Sequence, residues 1–539
     1  MRTRILFVLC ILAGAFLLRT VFSFFEGAPD EVRSVAEERA EAFRDERGPP
    51  SALLRVRSLE RPGVSPPSLQ PPPEALAGEG VLFAGQGDLL ALRSAVETAG
   101  GRIIGVLDKL GAIRVRGGGE VFDRLRADGH EVDFNLRVTV PPVPPPFLGE
   151  EGGGAGFREG ALSFLGVPPG NDEWGEGVRV AVLDTGVAPH PALDGARIHV
   201  LDLVDRDGEG LDRHGHGTAM IYQLAGRDEL DTGMVPAAEI LSIRVLDTEG
   251  RGNSFTLAEG IVAAVEQGAR VINLSLGSPG DSAVLRAALD YAEAHNVIVV
   301  AAAGNENIPR VAFPAAYENV LSVTAIDAQG SRAPFTNIGK VDIAAPGIAL
   351  PAAWLDEGYV WMDGTSGAAA IVSGAIVRML SEDPHLSPQD VRAVLAATTN
   401  DLGAPGPDPV FGMGLLDLER LERRHEPMIH DLAVADFHVP LERLDGPTVP
   451  LTVTFQNRGT EPVNGARLQI RVDGLVVRET LVSLHPNALW DTEVAIRGDR
   501  LGHPEGVVVE AVIVPPAHIE DARPGDNVRR QRFRLLPKN

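Results

Sequence analysis

Six nearly uninterrupted apolar runs in the middle of the chain constrain its fold more than any other feature. Turn residues bound each run, and the runs lack the alternation of apolar and polar residues that a half-exposed strand shows. Such runs are typical of strands buried on both faces of a parallel sheet. The runs are VRVAVLD, AEILSIRVLD, ARVINLSLG, NVIVVAAAGN, NVLSVTAI and VDIAAPG, all between residues 177 and 347.

Segments with apolar residues at helical spacing separate several of these runs. A mostly parallel sheet with helices between its strands is a doubly wound α/β domain. In such a domain, the ligand site is expected at the carboxyl ends of the strands. The predicted helices are 254–268, 282–295, 366–381 and 387–399.

Four polar residues stand at the ends of these predicted elements. Asp184 ends the strand VRVAVLD, and Asn305 is the last residue of the run NVIVVAAAGN, just past its strand. His216 stands between glycines where a helix begins, and Ser366 follows Asp-Gly-Thr at the start of another helix. Because the fold gathers such positions along one edge of the sheet, we expect these side chains to form one site.

The same four residue types fit acyl transfer. The hydroxyl of Ser366 is a weak nucleophile until a base, here His216, takes its proton. The carboxylate of Asp184 would hold the histidine in one tautomer and stabilise its cation. The amide of Asn305 and the N–H of Ser366 supply donors for a tetrahedral oxyanion. These four are therefore the predicted catalytic residues.

The chain order Asp184, His216, Asn305, Ser366 resembles that of the subtilisin-like serine proteases. By motif, the resemblance extends across roughly residues 177–417. It implies a subtilisin-like fold, polypeptide substrates, hydrolysis through an acyl-enzyme and no cofactor for the chemistry. It also implies that Ser275, Leu276 and Gly277 pair with the substrate backbone, and that Ala302, Ala303 and Gly304 form the wall of the substrate pocket.

The chain departs from the family pattern at two places. The family usually follows its serine with Met-Ala-Thr/Ala-Pro, whereas this chain continues Gly-Ala-Ala-Ala after Ser366, which removes no catalytic group. Ala192 stands where many relatives carry a calcium-binding aspartate. Structural Ca²⁺ is compatible with the family, but the sequence identifies no ligand set for it.

Other interpretations stay open at this stage. Asp-Thr-Gly also occurs in aspartic proteases, but the nearest second motif, starting at Asp363, has another order. His214 and His216 form a His-x-His pair that could ligate zinc, although no third ligand is identifiable. Glu306 either lines the specificity pocket and favours basic substrate side chains, or is a solvated surface charge. The rival from another class is a non-enzymatic exported binding or adhesion protein on a protease-like scaffold.

The N-terminal third of the chain is divided by composition. Residues 1–25 place two arginines before an apolar stretch, as a secretory signal peptide or an N-terminal anchor does. Residues 26–75 are charged and then proline-rich, which indicates a linker. The predicted order βαββαβ across 76–140 indicates a small ferredoxin-like α+β domain. In the family that the chain resembles, such a block is an inhibitory propeptide, an intramolecular inhibitor.

The remaining boundaries follow from proline, glycine and strand patterns. Residues 141–170 are a Pro/Gly linker, and we expect self-cleavage between about 139 and 172. The catalytic domain is predicted at 171–426. Seven strand patterns across 427–539 predict an immunoglobulin-like β-sandwich. It resembles the cell-adhesion-related, CARDB-like domains of bacterial exported proteins, which implies contact with a cell surface.

Composition narrows the partners and the location. The chain has 74 acidic and 49 basic residues, a net charge of −25, whereas phosphate binding needs a basic face, so no nucleic-acid partner is expected. The one cysteine, Cys10, lies inside the signal-like segment, which removes disulfides and thiolate chemistry from the mature chain. We expect the protein to be secreted, periplasmic or at the cell surface.

Overall fold

The computed structural model describes residues 72–84, 89–142, 156–206, 209–228, 232–440, 443–444, 447–501, 503 and 505–534. The predicted signal segment, most of the first linker and residues 143–155 of the second linker lie outside these ranges. All described residues belong to one compact unit, Pro71–Asn539.

An N-terminal block folds in the order β-α-β-β-α-β. Its two helices place apolar residues on one face, where Leu92, Val96, Phe122 and Leu125 are buried against the sheet. The elements are β1 (Ala75–Phe83), α1 (Leu89–Thr98), β2 (Arg102–Leu107), β3 (Ala112–Arg116), α2 (Gly119–Ala127) and β4 (Val132–Thr139). The strand order is β2-β3-β1-β4, and a short strand of the next region, β8 (Arg251–Asn253), continues the sheet beyond β4.

The predicted parallel sheet is confirmed, and it has seven strands. They are β5 (Arg179–Asp184), β6 (Arg197–Asp202), β7 (Glu239–Arg244), β9 (Val271–Leu274), β10 (Ile298–Ala302), β11 (Val320–Ile326) and β12 (Ile343–Pro346). Their order is β12-β11-β10-β9-β5-β7-β6. From β5 the chain passes to the edge strand β6, returns through β7 beside β5, and then continues on the other side of β5 from β9 to β12. The carboxyl ends of β5 and β9 therefore lie at the switch point where such sheets bind ligands.

Helices cover both faces of this sheet. Val180 and Val182 of β5 join one apolar core, while Ala181 and Leu183 join the other. This arrangement explains why the strands read as unbroken apolar runs. The helices are α3 (Ala161–Phe164), α4 (His216–Ala225), α5 (Ser254–Glu266), α6 (Ala283–Ala294), α7 (Thr365–Glu382), α8 (Pro388–Thr398) and α9 (Leu418–Glu422).

Sequence patterns missed two features of this region. The edge strand β6 is largely exposed, so it lacks the apolar run that marks the other strands. A hairpin of β13 (Leu350–Ala353) and β14 (Tyr359–Met362) precedes α7 and was not predicted.

The described residues from 432 onward form seven strands, as the turn spacing predicts. They form two sheets of order β15-β16-β19 and β18-β17-β20-β21, whose inner faces share one apolar core. The elements are β15 (Leu432–His438), β16 (Thr448–Asn457), β17 (Val463–Val472), β18 (Leu475–Leu484), β19 (Leu489–Arg497), α10 (Gly498–Leu501), β20 (Val507–Val514) and β21 (Val528–Phe533).

Candidate active site

The carboxyl end of β5 holds a buried carboxylate–imidazole pair. Nδ1 of His216 lies 2.9 Å from Oδ1 and 3.0 Å from Oδ2 of Asp184. Only 3% of His216 and 1% of Asp184 are exposed. Burial by itself would lower the pKa of His216, but the charge and hydrogen bond of Asp184, with the charge of Asp212, raise it above the ordinary 6.5. The pair leaves Nε2 as the nitrogen that can accept a proton.

A tight turn aims His216 at this carboxylate. Oδ1 of Asp212 accepts the N–H groups of His214 at 2.8 Å and Gly215 at 2.9 Å, and Oδ2 accepts the Thr218 hydroxyl at 2.7 Å. Gly215 has a φ of +101°, and a Cβ there would lie 2.4 Å from the Trp354 ring. Only glycine satisfies both the dihedral angle and the close approach.

The other two predicted residues meet at the start of α7. The side-chain oxygen of Asn305 accepts the N–H of Thr365 at 3.1 Å and its hydroxyl at 2.8 Å. These bonds hold the Asn305 oxygen and leave its amide nitrogen beside Gly364, the residue before α7. Ser366 is the next residue, is 4% exposed, and accepts at its carbonyl the hydroxyl of Ser275 at 3.0 Å. Because α4 packs on α7, the histidine and the serine lie on neighbouring helices.

A stretch of the chain itself occupies the groove beside these residues. Thr139 and Gly277 exchange two backbone hydrogen bonds, of 2.9 and 2.8 Å. The N–H of Val140 donates to the carbonyl of Gly250 at 2.9 Å on the opposite wall. Nδ2 of Asn305 then donates to the carbonyl of Pro142 at 3.1 Å. The groove therefore binds an extended peptide and presents one of its carbonyls to Asn305.

Comparison with known proteins identifies the family. The Subtilase family matches residues 175–414. Subtilisin BL of Lederbergia lenta is 36% identical over 255 residues, which is 46% of this chain and 92% of that protein. Subtilisin DY of Bacillus licheniformis is 33% identical over 252 residues, with 46% and 90% covered. An alkaline protease of Shouchella clausii is 35% identical over 255 residues, with 46% and 65% covered.

The chain belongs to the subtilase family. It is thus a subtilisin-like serine endopeptidase; Asp184, His216, Asn305 and Ser366 lie within the matched range, and the strand in the groove comes from the chain before it.

A cavity of about 220 Å³ adjoins the groove of this subtilase. Gly277, Gly304 and Glu306 line it, together with Arg310 and with Pro141 of the bound strand. The Glu306 carboxylate accepts the Asn337 amide at 2.6 Å, so it is held at the cavity wall. Because a carboxylate and a guanidinium both line the cavity, it is not simply a pocket for basic side chains.

Three of the residues assigned to substrate binding are buried while residues 139–142 fill the groove. Leu276, Ala302 and Ala303 are no more than 1% exposed and belong to the apolar cores. None of them lines the cavity in the part of the chain that the structure describes. They are placed to support the groove through packing.

The calcium position that the family suggests does not fit this subtilase. Ala192 is buried and offers no side-chain oxygen. Among the described residues, the one cluster of carboxylates that could hold an ion is Asp431, Asp521 and Asp526, near the C-terminal strands. Arg523 pairs with Asp431 at 2.7 Å, and Arg458 pairs with Asp526 at 2.8 Å, so cationic side chains already compensate this cluster.

The histidine pair of the subtilase has a structural explanation. The rings of His214 and His216 lie 6.3 Å apart, and Asp184 binds His216. No carboxylate or histidine in the described ranges groups with both rings as a third metal ligand. His214 instead faces Gly250 and the bound Val140, where a Cβ on Gly250 would lie 3.1 Å from each side chain.

Sequence patterns missed three residues that orient the site. Asp212 could have been found, because an aspartate just before a glycine turn often accepts its N–H groups. Thr365 orients Asn305, and Asn337 holds Glu306, from 60 and 31 positions away in the chain. Local sequence carries no signal for contacts at such separations.

Proposed function

We propose that this subtilase hydrolyses polypeptides through Ser366, His216 and Asp184. Ser366 Oγ attacks the carbonyl carbon while His216 Nε2 takes its proton. Asp184 holds the Nδ1–H tautomer and stabilises the imidazolium. The amide of Asn305 and the N–H of Ser366 stabilise the oxyanion. His216 then gives the proton to the leaving amine, and water releases the acyl group by the reverse sequence.

The observation that carries this proposal is the peptide carbonyl bound to Asn305. The Pro142 carbonyl accepts the Asn305 amide N–H at 3.1 Å. The oxygen of the same amide accepts the hydroxyl of Thr365, the residue before Ser366 in α7. A side-chain donor at this place would stabilise the negative charge that develops on a carbonyl oxygen during acyl transfer.

The pairing of Thr139 with Gly277 supports extended peptides as substrates. Main-chain hydrogen bonds bind a strand whatever its side chains, whereas pockets read selected side chains. We assign Gly277 to the substrate backbone and Gly304 to the wall of the adjoining cavity. We assign Ser275 an indirect role, because its hydroxyl donates a hydrogen bond to the Ser366 carbonyl and so helps to position Ser366.

We further propose that residues 76–140 are a ferredoxin-like propeptide. Oδ2 of Asp133 accepts the N–H of Ala283 at 2.8 Å, where α6 begins. Oδ1 of Asn135 accepts the Ser254 hydroxyl at 3.0 Å and the N–H of Phe255 at 3.1 Å, where α5 begins. Carboxylates and amide oxygens are favourable at helix N-termini. These contacts support a block that docks on two helices and sends its last strand into the active site.

The proposed precursor has a linker at 141–170, a catalytic domain at 171–426 and an immunoglobulin-like, CARDB-like sandwich at 427–539. Release of the propeptide requires a cut between about 139 and 172. Export is proposed from residues 1–25. Among the described residues, none of the helices has the length and apolar character that crossing a membrane requires.

A serine-directed fluorophosphonate probe tests the proposed function. The wild-type protein, freed of its propeptide, should be labelled and should hydrolyse peptides. Ser366→Ala should lose both properties and keep its fold, because the change deletes one hydroxyl at a position of ordinary helical geometry. Circular dichroism checks the fold. Labelling of a correctly folded Ser366→Ala protein would refute the assignment, and absence of labelling in the wild type would favour a non-enzymatic binding protein.

A further inference from the structure

Two consecutive prolines lie where the bound strand reaches the active site. Pro141 is buried and lines the cavity, and the carbonyl of Pro142 is the one that Asn305 holds. We propose that Pro141 and Pro142 make this strand a ligand that its own active site does not cleave, so that processing depends on a second molecule. The inference rests on the proposed serine peptidase function and concerns its regulation.

The hydrogen bonds between strand and groove stop just before these prolines. Thr139 bonds to Gly277 on one wall, and the N–H of Val140 bonds to Gly250 on the other. Pro141 and Pro142 have no N–H to continue either row. Proline also fixes its own φ and restricts the residue before it, so Pro141 is constrained twice. Among the described residues, the hydrogen bond that remains at the reacting end of the strand is therefore the one from the Asn305 amide to the Pro142 carbonyl.

The energy that holds the strand comes from contacts remote from that end. Val138 is 1% exposed in an apolar core that it shares with α5 and α6, and Asp133 and Asn135 bind the starts of those helices. Such contacts do not change as a peptide bond breaks, so they stabilise the docked strand and the transition state equally and do not lower the barrier from the docked state. A tightly docked strand whose reacting end is poorly held is the arrangement of an inhibitor.

The carbonyl that Asn305 holds belongs to Pro142, so the bond at issue is the peptide bond that follows Pro142 in the sequence. Its cleavage would require Ser366 Oγ to bond to the Pro142 carbonyl carbon, with the Ser366 proton passing through His216 to the Val143 nitrogen as the C–N bond breaks. Water would then release Pro142 as a carboxylate. The rate depends on holding the carbonyl near the attacking oxygen, and loosely held groups lose much of that advantage. Two absent backbone donors remove the bonds that would hold it.

The test compares three full-length precursors by intact mass and N-terminal sequencing over time. They are the wild type, Pro141→Ala/Pro142→Ala, and the control Pro145→Ala/Pro146→Ala, which changes the same number of prolines later in the linker sequence. Each is incubated at two concentrations tenfold apart, and a fluorophosphonate probe reports labelling at the end.

We expect the wild type and the control to shorten at a rate per molecule that rises with concentration, because one molecule cuts another. The double variant at 141 and 142 should shorten at a rate independent of concentration. It should do so at least about tenfold faster at the lower concentration, as expected for restoring backbone hydrogen bonds that hold the reacting carbonyl.

Two results would overturn the inference. In the first, the wild type is cut after Pro142 at a concentration-independent rate and is labelled by the probe, which leaves the peptidase assignment intact. In the second, neither the wild type nor the double variant is labelled or shortened, even after an added protease removes the propeptide, which overturns the peptidase proposal and this inference with it.

Discussion

Single polar atoms decide the chemistry of this site. Nδ1 of His216 is bound by both oxygens of Asp184, so the proton-accepting nitrogen is fixed without any contribution from substrate. The Asn305 oxygen is bound twice by Thr365, so the amide nitrogen is left to meet a carbonyl. In both residues, one end of the side chain is held and the other end is free to act.

The raised pKa of His216 predicts the pH dependence of hydrolysis. The base works when neutral, and Asp184 holds the pKa above 6.5. Activity of the processed enzyme should therefore rise with pH through a midpoint above 6.5 and be lost as pH falls. In Asp184→Asn, kcat should fall steeply and the midpoint should move down. Profiles of kcat/KM against pH check this, and an optimum near pH 3–4 would contradict it.

Removal of the Asn305 amide should affect the transition state selectively. We expect Asn305→Ala to lower kcat by about 10²- to 10³-fold with little change in KM, the range known for the oxyanion asparagine of subtilisin. The exposed neighbour Asn307→Ala is the control and should behave as wild type. Steady-state kinetics on a peptide substrate separate the two constants, and a loss confined to KM would mean that Asn305 only holds substrate.

At the scale of elements, α7 carries the serine and its small residues set how closely it packs. Gly374 lies on the buried length of this helix, against Met234. A Cβ on Gly374 would lie 2.4 Å from Cγ and 2.6 Å from Cβ of Met234. Close packing of α7 is therefore what demands the run of small residues that follows Ser366.

Gly374→Ala should lower the melting temperature although alanine is the better helix former. A helical glycine replaced by alanine usually gains up to about 1 kcal/mol. Here the overlap with Met234 should cost about 1–3 kcal/mol, as overpacking of cores does. Gly119→Ala is the matched control, since that helical position in α2 is open. Thermal denaturation in a Ser366→Ala background measures both, and an unchanged or raised melting temperature for Gly374→Ala would contradict the overlap.

At the scale of the whole molecule, buried polar contacts join the catalytic region to the C-terminal strands. The N–H of Asp401 donates to Gln456 at 3.1 Å, and Asp417 accepts Arg523 at 2.8 Å. Burial raises the pKa of Asp401 to about 7, and the charges of Asp408 and Asp436 add to this, against the Gly406 N–H and Arg458. One carboxylate oxygen of Asp401 has no hydrogen-bond partner. Ionisation of Asp401 therefore destabilises this junction.

This raised pKa predicts that stability falls as pH rises. Between an unfolded pKa near 3.8 and a folded pKa of about 7, the folded chain holds more protons, so stability is fullest below the lower value and is lost towards the upper. Asp401→Asn should melt at least about 2 °C above the parent at pH 8 and by a clearly smaller margin at pH 5. The exposed Asp491→Asn is the control, and both are measured in Ser366→Ala. An equal effect of Asp401→Asn at both pH values would contradict the prediction.

The sequence by itself determined the parallel sheet and the four residues at the ends of its elements. Apolar runs report burial on both faces, and Asp184, His216, Asn305 and Ser366 each follow a local pattern of strand end, glycine turn or helix start. Such signals lie within a few residues of the position that they mark, so one sequence is enough to read them.

Only the tertiary structure decided what fills the groove and which residues touch it. The bonds of Thr139 to Gly277 and of Pro142 to Asn305 join positions more than a hundred residues apart. The packing that buries Ala302 and Ala303, and the bond of Asn337 to Glu306 from 31 positions away, depend equally on distant segments. These contacts form when whole elements pack against one another. The free energy of that packing depends on the shapes of both elements, which the local propensity of either segment does not encode.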